Sequence, residues 1–266
     1  MVHMEMAAKA DARVRLAARL AERFASTVIG ISAAVLPPYP AETAYFVTTE
    51  FYEQERRDIL AVLEKTEAAF RSAVVPASLD IEWRSAVDLP EAFVVAEARS
   101  ADLVILGQSS GPVDIGRSLD PGALILKTGR PVLVVPPGVD TLKAERIVIA
   151  WKDGREARRA VHDALPLLHG AKSVTILEVS NDEAASRRRV GDLAQYLARH
   201  RITARTATQA AAAEPVADQL VNFARADGAD LIVTGGYGHS RLGEWIFGGV
   251  TRDLLKSSPI CCFFAN

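Results

Sequence analysis

The sequence predicts an α/β fold: two tandem, doubly wound parallel five-stranded sheets with helices on both faces. Three observations predict it. Short apolar runs alternate with longer amphipathic segments along the whole chain, the pattern of strand–helix–strand units over parallel sheets. Ala101-Asp-Leu-Val-Ile-Leu-Gly107 recurs 128 residues later as Ala229-Asp-Leu-Ile-Val-Thr-Gly235. The same offset carries Pro131 onto Pro259, each ahead of an apolar run, and Pro136-Pro137-Gly138-Val139-Asp140 makes a turn-rich junction between the copies. The expected units are therefore residues 1–138 and 139–266.

Each unit is justified element by element. Met1 to Glu5 is short for a first strand, and Asp11 to Phe24 sets apolar Val14, Leu16, Leu20 and Phe24 among arginines as an amphipathic helix. Thr27 to Ser32 is a strand, and Pro37, Pro38 and Pro40 exclude a helix after it. Thr48 to Ala73 reads as a long helix, Leu79 to Arg84 as a strand, and Pro90 to Ser100 as a helix. Asp102 to Leu106 and Pro131 to Val135 complete the first five strands. The second unit repeats the order: strands at Arg146–Ala150, Val174–Val179 and Ile202–Thr208, and helices at Arg155–Leu168, Glu183–Arg201 and Pro215–Ala226. A short apolar run from Leu231 to Thr234, a helix from Val250 and a last strand from Ile260 to Phe264 close it.

Bulk properties narrow the function. A chain of 266 residues with 49% hydrophobic and 24% charged residues has an ordinary globular composition. A formal net charge of −2 gives no support for a nucleic-acid partner, and no apolar run reaches membrane-spanning length. Neither a signal pattern nor a disulfide framework is present, so a cytoplasmic location is expected. Cys261 and Cys262 are adjacent in a strand and point to opposite faces, which suits small buried hydrophobes better than a bridge. His239 has no second His or Cys at ligand spacing, so no metal site is expected. Arg187 to Arg189 read as a solvated helix face, and Trp151 and Trp245 as packing groups.

The stretch from Ala229 to Phe264 carries the chemistry. An apolar strand runs into Gly235, Gly236, Gly238 and Gly243, then Gly248 and Gly249 open a helix. Glycines let backbone N–H groups approach phosphate oxygens, and a helix start adds unpaired N–H groups and a favourable dipole. A plain glycine-rich connection is the competing reading on spacing alone.

Gly235-x2-Gly238-x9-Gly248, followed by Gly249-Val250-Thr251, resembles the nucleotide-binding pattern of universal stress proteins, and Gly238 to Leu242 is also typical of that family. The resemblance implies tandem Rossmann-like, adenine nucleotide alpha hydrolase-like units that bind ATP, alone or with Mg, as a regulatory ligand in stress response. It implies contacts from Thr234, Gly235, Gly238, Gly248, Gly249, Val250 and Thr251, from Asp153 after the first strand of the second unit, and from Val179 against the base, while His239 within the glycine loop either donates to a phosphate or covers the loop. Gly249 stands where the family pattern has Ser or Thr, so the N–H is kept and a hydroxyl is absent. Lys152 occupies the strict register of the family's aspartate, with Asp153 one residue later. The resemblance also implies pairing of Val132–Val135 with Ile260–Phe264 inside one molecule, with a homodimer as a further possibility.

The offset maps Gly238, Gly248, Gly249 and Thr251 onto Ser110, Asp120, Pro121 and Ala123, which removes donors and adds a carboxylate. Nucleotide is therefore expected in the second unit alone. No Walker-type motif, Ser-Gly-Gly-x-Asp-Ser loop or His-x-Gly-His element occurs, so at most weak ATP hydrolysis is expected. A nucleotide-free interaction scaffold is the alternative.

Overall fold

Runs of Val, Ile and Leu without polar interruption must be covered on both sides, and each forms a strand of one central sheet. The structure, a computed structural model, describes residues 1–6, 11–36, 48–75, 78–108, 119–238 and 249–266. The first half contains β1 (Val2–His3), α1 (Asp11–Phe24), β2 (Val28–Ala33), α2 (Thr49–Ala73), β3 (Ile81–Ala86) and α3 (Pro90–Glu97, with a 3-10 turn to Ser100). It ends in β4 (Val104–Gly107), α4 (Pro121–Lys127) and β5 (Val132–Val135). The second contains β6 (Arg146–Ala150), α5 (Arg155–Asp163), α6 (Leu165–His169), β7 (Ser173–Val179), α7 (Glu183–Arg199) and β8 (Ala204–Gln209). It closes with α8 (Val216–Ala226), β9 (Leu231–Gly235), α9 (Gly249–Ser257) and β10 (Cys261–Ala265).

Two elements depart from expectation. The helix expected over Arg155–Leu168 is divided at Ala164, because Pro166 sits in the first turn of α6 and has no N–H to continue the preceding helix. Helix α4 is absent from the expected set. Its sequence, Pro-Gly-Ala-Leu-Ile-Leu-Lys, is seven residues long and largely buried, so it shows no polar stripe.

The two separate five-stranded sheets of the sequence reading are halves of one ten-stranded sheet, ordered β3-β2-β1-β4-β5-β10-β9-β6-β7-β8. All neighbours are parallel except β5 and β10, which run antiparallel with Leu133 opposite Phe263 and Val134 opposite Cys262. The join merges what would be two cores. One buried cluster takes Leu133, Val135, Cys261 and Phe263 with α1 and α5, and the opposite face takes Val132, Val134, Cys262 and Phe264 with α4 and α9. The alternation is the strand period of two. Both cysteines are buried and free, and burial pushes each thiol up to about 12.

Strand order reverses direction at two places, between β1 and β4 and between β6 and β9. Ligands of open α/β sheets sit at such switch points, beyond the carboxyl ends of the strands. Because β5 and β10 are antiparallel, the two switch points open at opposite edges of the sheet.

Truncating Phe263, which is 2% exposed at the join, to alanine should lower unfolding free energy by about 3–5 kcal/mol in chemical denaturation. His3, at the end of β1, offers a pH test. Burial first, and the nearby Arg13 charge second, push its pKa from 6.5 to about 3. The unfolded chain then takes up a proton that the folded chain refuses, so stability falls as pH drops from 6.5 toward 3, by at most about 1.4 kcal/mol per pH unit. Denaturation of wild type and His3→Gln between pH 7 and 4 should show a shallower loss in the variant.

Candidate functional site

The glycine tract begins where β9 ends, at the second switch point. Ala150 of β6 lies opposite Thr234 of β9, and Ala265 of β10 lies opposite Gly235. Gly235 is required there by space. A Cβ on it would lie 2.6 Å from the Ala157 backbone nitrogen and 2.8 Å from the Glu156 carbonyl carbon. The first turn of α5 therefore presses directly on the end of β9, which holds the floor of the crevice at a fixed depth. Thr234 is buried, and its hydroxyl donates to the Gly235 carbonyl at 3.3 Å.

The next residues are pinned from three sides. The Gly236 N–H donates to the Ala265 carbonyl at 2.8 Å, and Asn266 Nδ2 donates to the carbonyls of Gly236 (2.7 Å) and Tyr237 (3.2 Å). Tyr237 has φ +51°, a left-handed conformation uncommon outside glycine, and its N–H donates to Thr251 Oγ1 at 3.4 Å. That bond ties the tract to the first turn of α9, so the Thr251 hydroxyl oxygen serves the loop. Gly249, Val250 and Thr251 are the first described residues of α9, and no acidic residue lies in this turn.

The tract also leans on the first half. Tyr237 Oη lies against Gly122 of α4, and burial and the nearby Asp120 charge raise its phenol pKa. Gly236 faces Ile125, while Gln108 Nε2, beyond β4, donates to the Ser258 carbonyl at 3.0 Å.

The remaining expected residues lie around this crevice. Asp153 is three residues past β6, and Arg158 donates to both its carboxylate oxygens at 2.8–3.0 Å. Val179, the last residue of β7, is half-buried. Trp151 is buried in the core, and Trp245, His239 and Gly248 lie outside the described residues. The arginine run on α7 is only partly a solvated face. Arg187 pairs with exposed Glu183, but Arg189 reaches the buried Glu178 carboxylate at 2.7 Å.

Glu156 is a residue sequence reasoning missed. It is 5% exposed, its Oε1 accepts from Arg155 Nε at 2.6 Å, and its Oε2 lies beside Gly154 and Gly238. A single Glu in a helical first turn carries no sequence signal of this placement; only the fold brings it under the glycine tract.

At the corresponding place in the first half, Asp120 caps α4. Its carboxylate accepts from the N–H groups of Gly122 (3.0 Å) and Ala123 (3.3 Å), and Pro121 supplies no donor. The helix start that would attract an anion is already occupied by its own.

Such geometry defines a doubled Rossmann-like α/β protein whose second switch point carries a glycine-lined helix start. Residues 143–262 match the family model of the universal stress protein family. Over 100% of this chain and 95% of the other, the structure is similar to a universal stress protein from Archaeoglobus fulgidus, with TM-score 0.72 and 12% identity. It is also similar to a functionally unknown protein from Pseudomonas aeruginosa, with TM-score 0.54 and 13% identity, covering 92% and 83% of the two chains. Those identities speak for the fold alone. No curated protein matches the sequence. Among the described residues no helix is long and apolar enough to cross a membrane.

Two substitutions separate the glycines. Gly235→Ala should cost about 1–3 kcal/mol, since the obstacle is backbone. Gly238→Ala, whose Cβ would meet, among the described residues, the Glu156 carboxylate at 3.5 Å, should change unfolding free energy by less than about 0.5 kcal/mol.

Proposed function

We propose that this chain acts in a stress response by holding ATP, or a related adenine nucleotide, at the second switch point as a regulatory ligand. The observation that carries this reading is the contrast between two helix starts at equivalent positions. In the first half Asp120 and Pro121 close the helix start to anions, whereas in the second the first described turn of α9, from Gly249, holds no acidic residue and follows a glycine tract. The match of residues 143–262 to the universal stress protein family supports it.

In this reading phosphate oxygens accept from the first-turn N–H groups of α9, as anions do at helix starts generally. The ribose lies over Thr234 and Gly235, and the base toward Val179. Gly235 holds the floor close enough for these contacts, because α5 leaves no room for a side chain.

Gly249→Pro copies Pro121 of the first half and removes a single donor at a position where helices tolerate proline. Isothermal titration with ATP–Mg should show the affinity falling about tenfold or more, the value of one charge-assisted hydrogen bond, while the melting temperature of the unliganded protein is retained. A wild-type protein that carries no nucleotide by mass spectrometry and shows no thermal shift in millimolar ATP–Mg would rule the reading out.

A further inference from the structure

The first switch point, between β1 and β4, holds a buried charge that no described residue balances well. Arg13, in the first turn of α1, is 9% exposed. Its guanidinium occupies the space a Cβ on Gly107, the last residue of β4, would take. Glu5 is its one carboxylate partner among the described residues, with Oε1 3.5 Å from both terminal nitrogens, the outer limit of a hydrogen bond. Arg13 Nε is buried with no acceptor among the described residues. His3, close enough to feel the Arg13 charge, is held neutral and brings no negative charge.

A guanidinium presents five donors in a planar fork, and its close partners are carboxylate or phosphate oxygens at about 2.7–2.9 Å. Burying one without such a partner is unfavourable. Glu5 fills that role poorly: the contact is long, and its side chain remains 46% exposed. The missing side chain at Gly107 is what admits the fork to the end of β4, where open α/β sheets receive ligands. The α4 helix start is not part of this arrangement, because Asp120 already caps it.

We propose that the amino-terminal half binds a small oxyanion at its own switch point, received by the Arg13 guanidinium in place of the loosely held Glu5 carboxylate. The ligand is a phosphate or carboxylate group, free or carried on a small molecule. This site is independent of the nucleotide reading, since the two switch points lie at opposite edges of the sheet.

The test uses the full-length chain, titrated with inorganic phosphate at constant ionic strength and followed by thermal unfolding. A saturable rise in melting temperature is expected. Arg13→Gln should abolish it, Arg13→Lys should weaken apparent affinity about tenfold by removing the fork, and Glu5→Gln should tighten it several-fold by removing the internal competitor. AMP distinguishes a carried phosphate from a free one: a response to AMP that survives Gly249→Pro but is lost in Arg13→Gln belongs to this site. If Arg13→Gln does not fold, Glu5→Gln still decides. A wild-type chain without a saturable phosphate response, or one whose response Glu5→Gln leaves unchanged, overturns the proposal.

Discussion

The pairing of β5 with β10 is the constraint on which the rest of the structure depends. A parallel five-stranded sheet ends in a strand whose outer N–H and C=O groups need partners. Here each half supplies the other's partner, and the side chains on both faces interlock across the join, with Phe263 in one layer and Phe264 in the other. The antiparallel sense then fixes everything downstream. It turns the two switch points to opposite edges and brings the turn after each glycine-ended strand, β4 or β9, onto the last helix of the opposite half. Gly236 and Tyr237 against α4, and Gln108 against Ser258 after α9, are the two expressions of that rule.

From one duplicated plan the halves solve the anion problem in opposite ways. The first satisfies its helix start internally with Asp120, and fills its switch point with the Arg13 side chain. The second keeps α9 free of an internal carboxylate cap among its described residues and invests its packing in the floor beneath, where Gly235 meets the backbone of α5. Gly107 and Gly235 occupy equivalent positions, yet each is a glycine for its own reason: a guanidinium lies over one and a helix over the other. Identical residues at matched sites need not share a cause.

Most of the fold was legible in the sequence because its signals are local. Apolar runs of four to seven residues marked most of the inner strands, and the segment ending at Gly107 recurs at Gly235. Helix α1 was readable to the residue from its apolar spacing. What escaped was whatever depends on burial from both sides or on long-range placement. Helix α4 has no polar face to betray it, and Glu156 becomes part of the crevice only because α5 crosses β9 so closely. The continuous sheet was visible as a compatible pair of edge strands, but sequence carries no statement of whether two such edges meet. The glycine spacing located the crevice, while Asp153 gave no hint that Arg158 would take both its oxygens.

Spending β5 and β10 on each other leaves β3 and β8 as the outermost strands, at the two ends of the ten-stranded order. Both are poor templates for a new neighbour: β3 sets Glu82 and Arg84 along its length, and β8 carries Arg205 among threonines. The central strand route to self-association is thus consumed within a single polypeptide. A second copy would have to be met through the helical layers or by overcoming two charged borders, and growth by endless strand addition is discouraged at both ends.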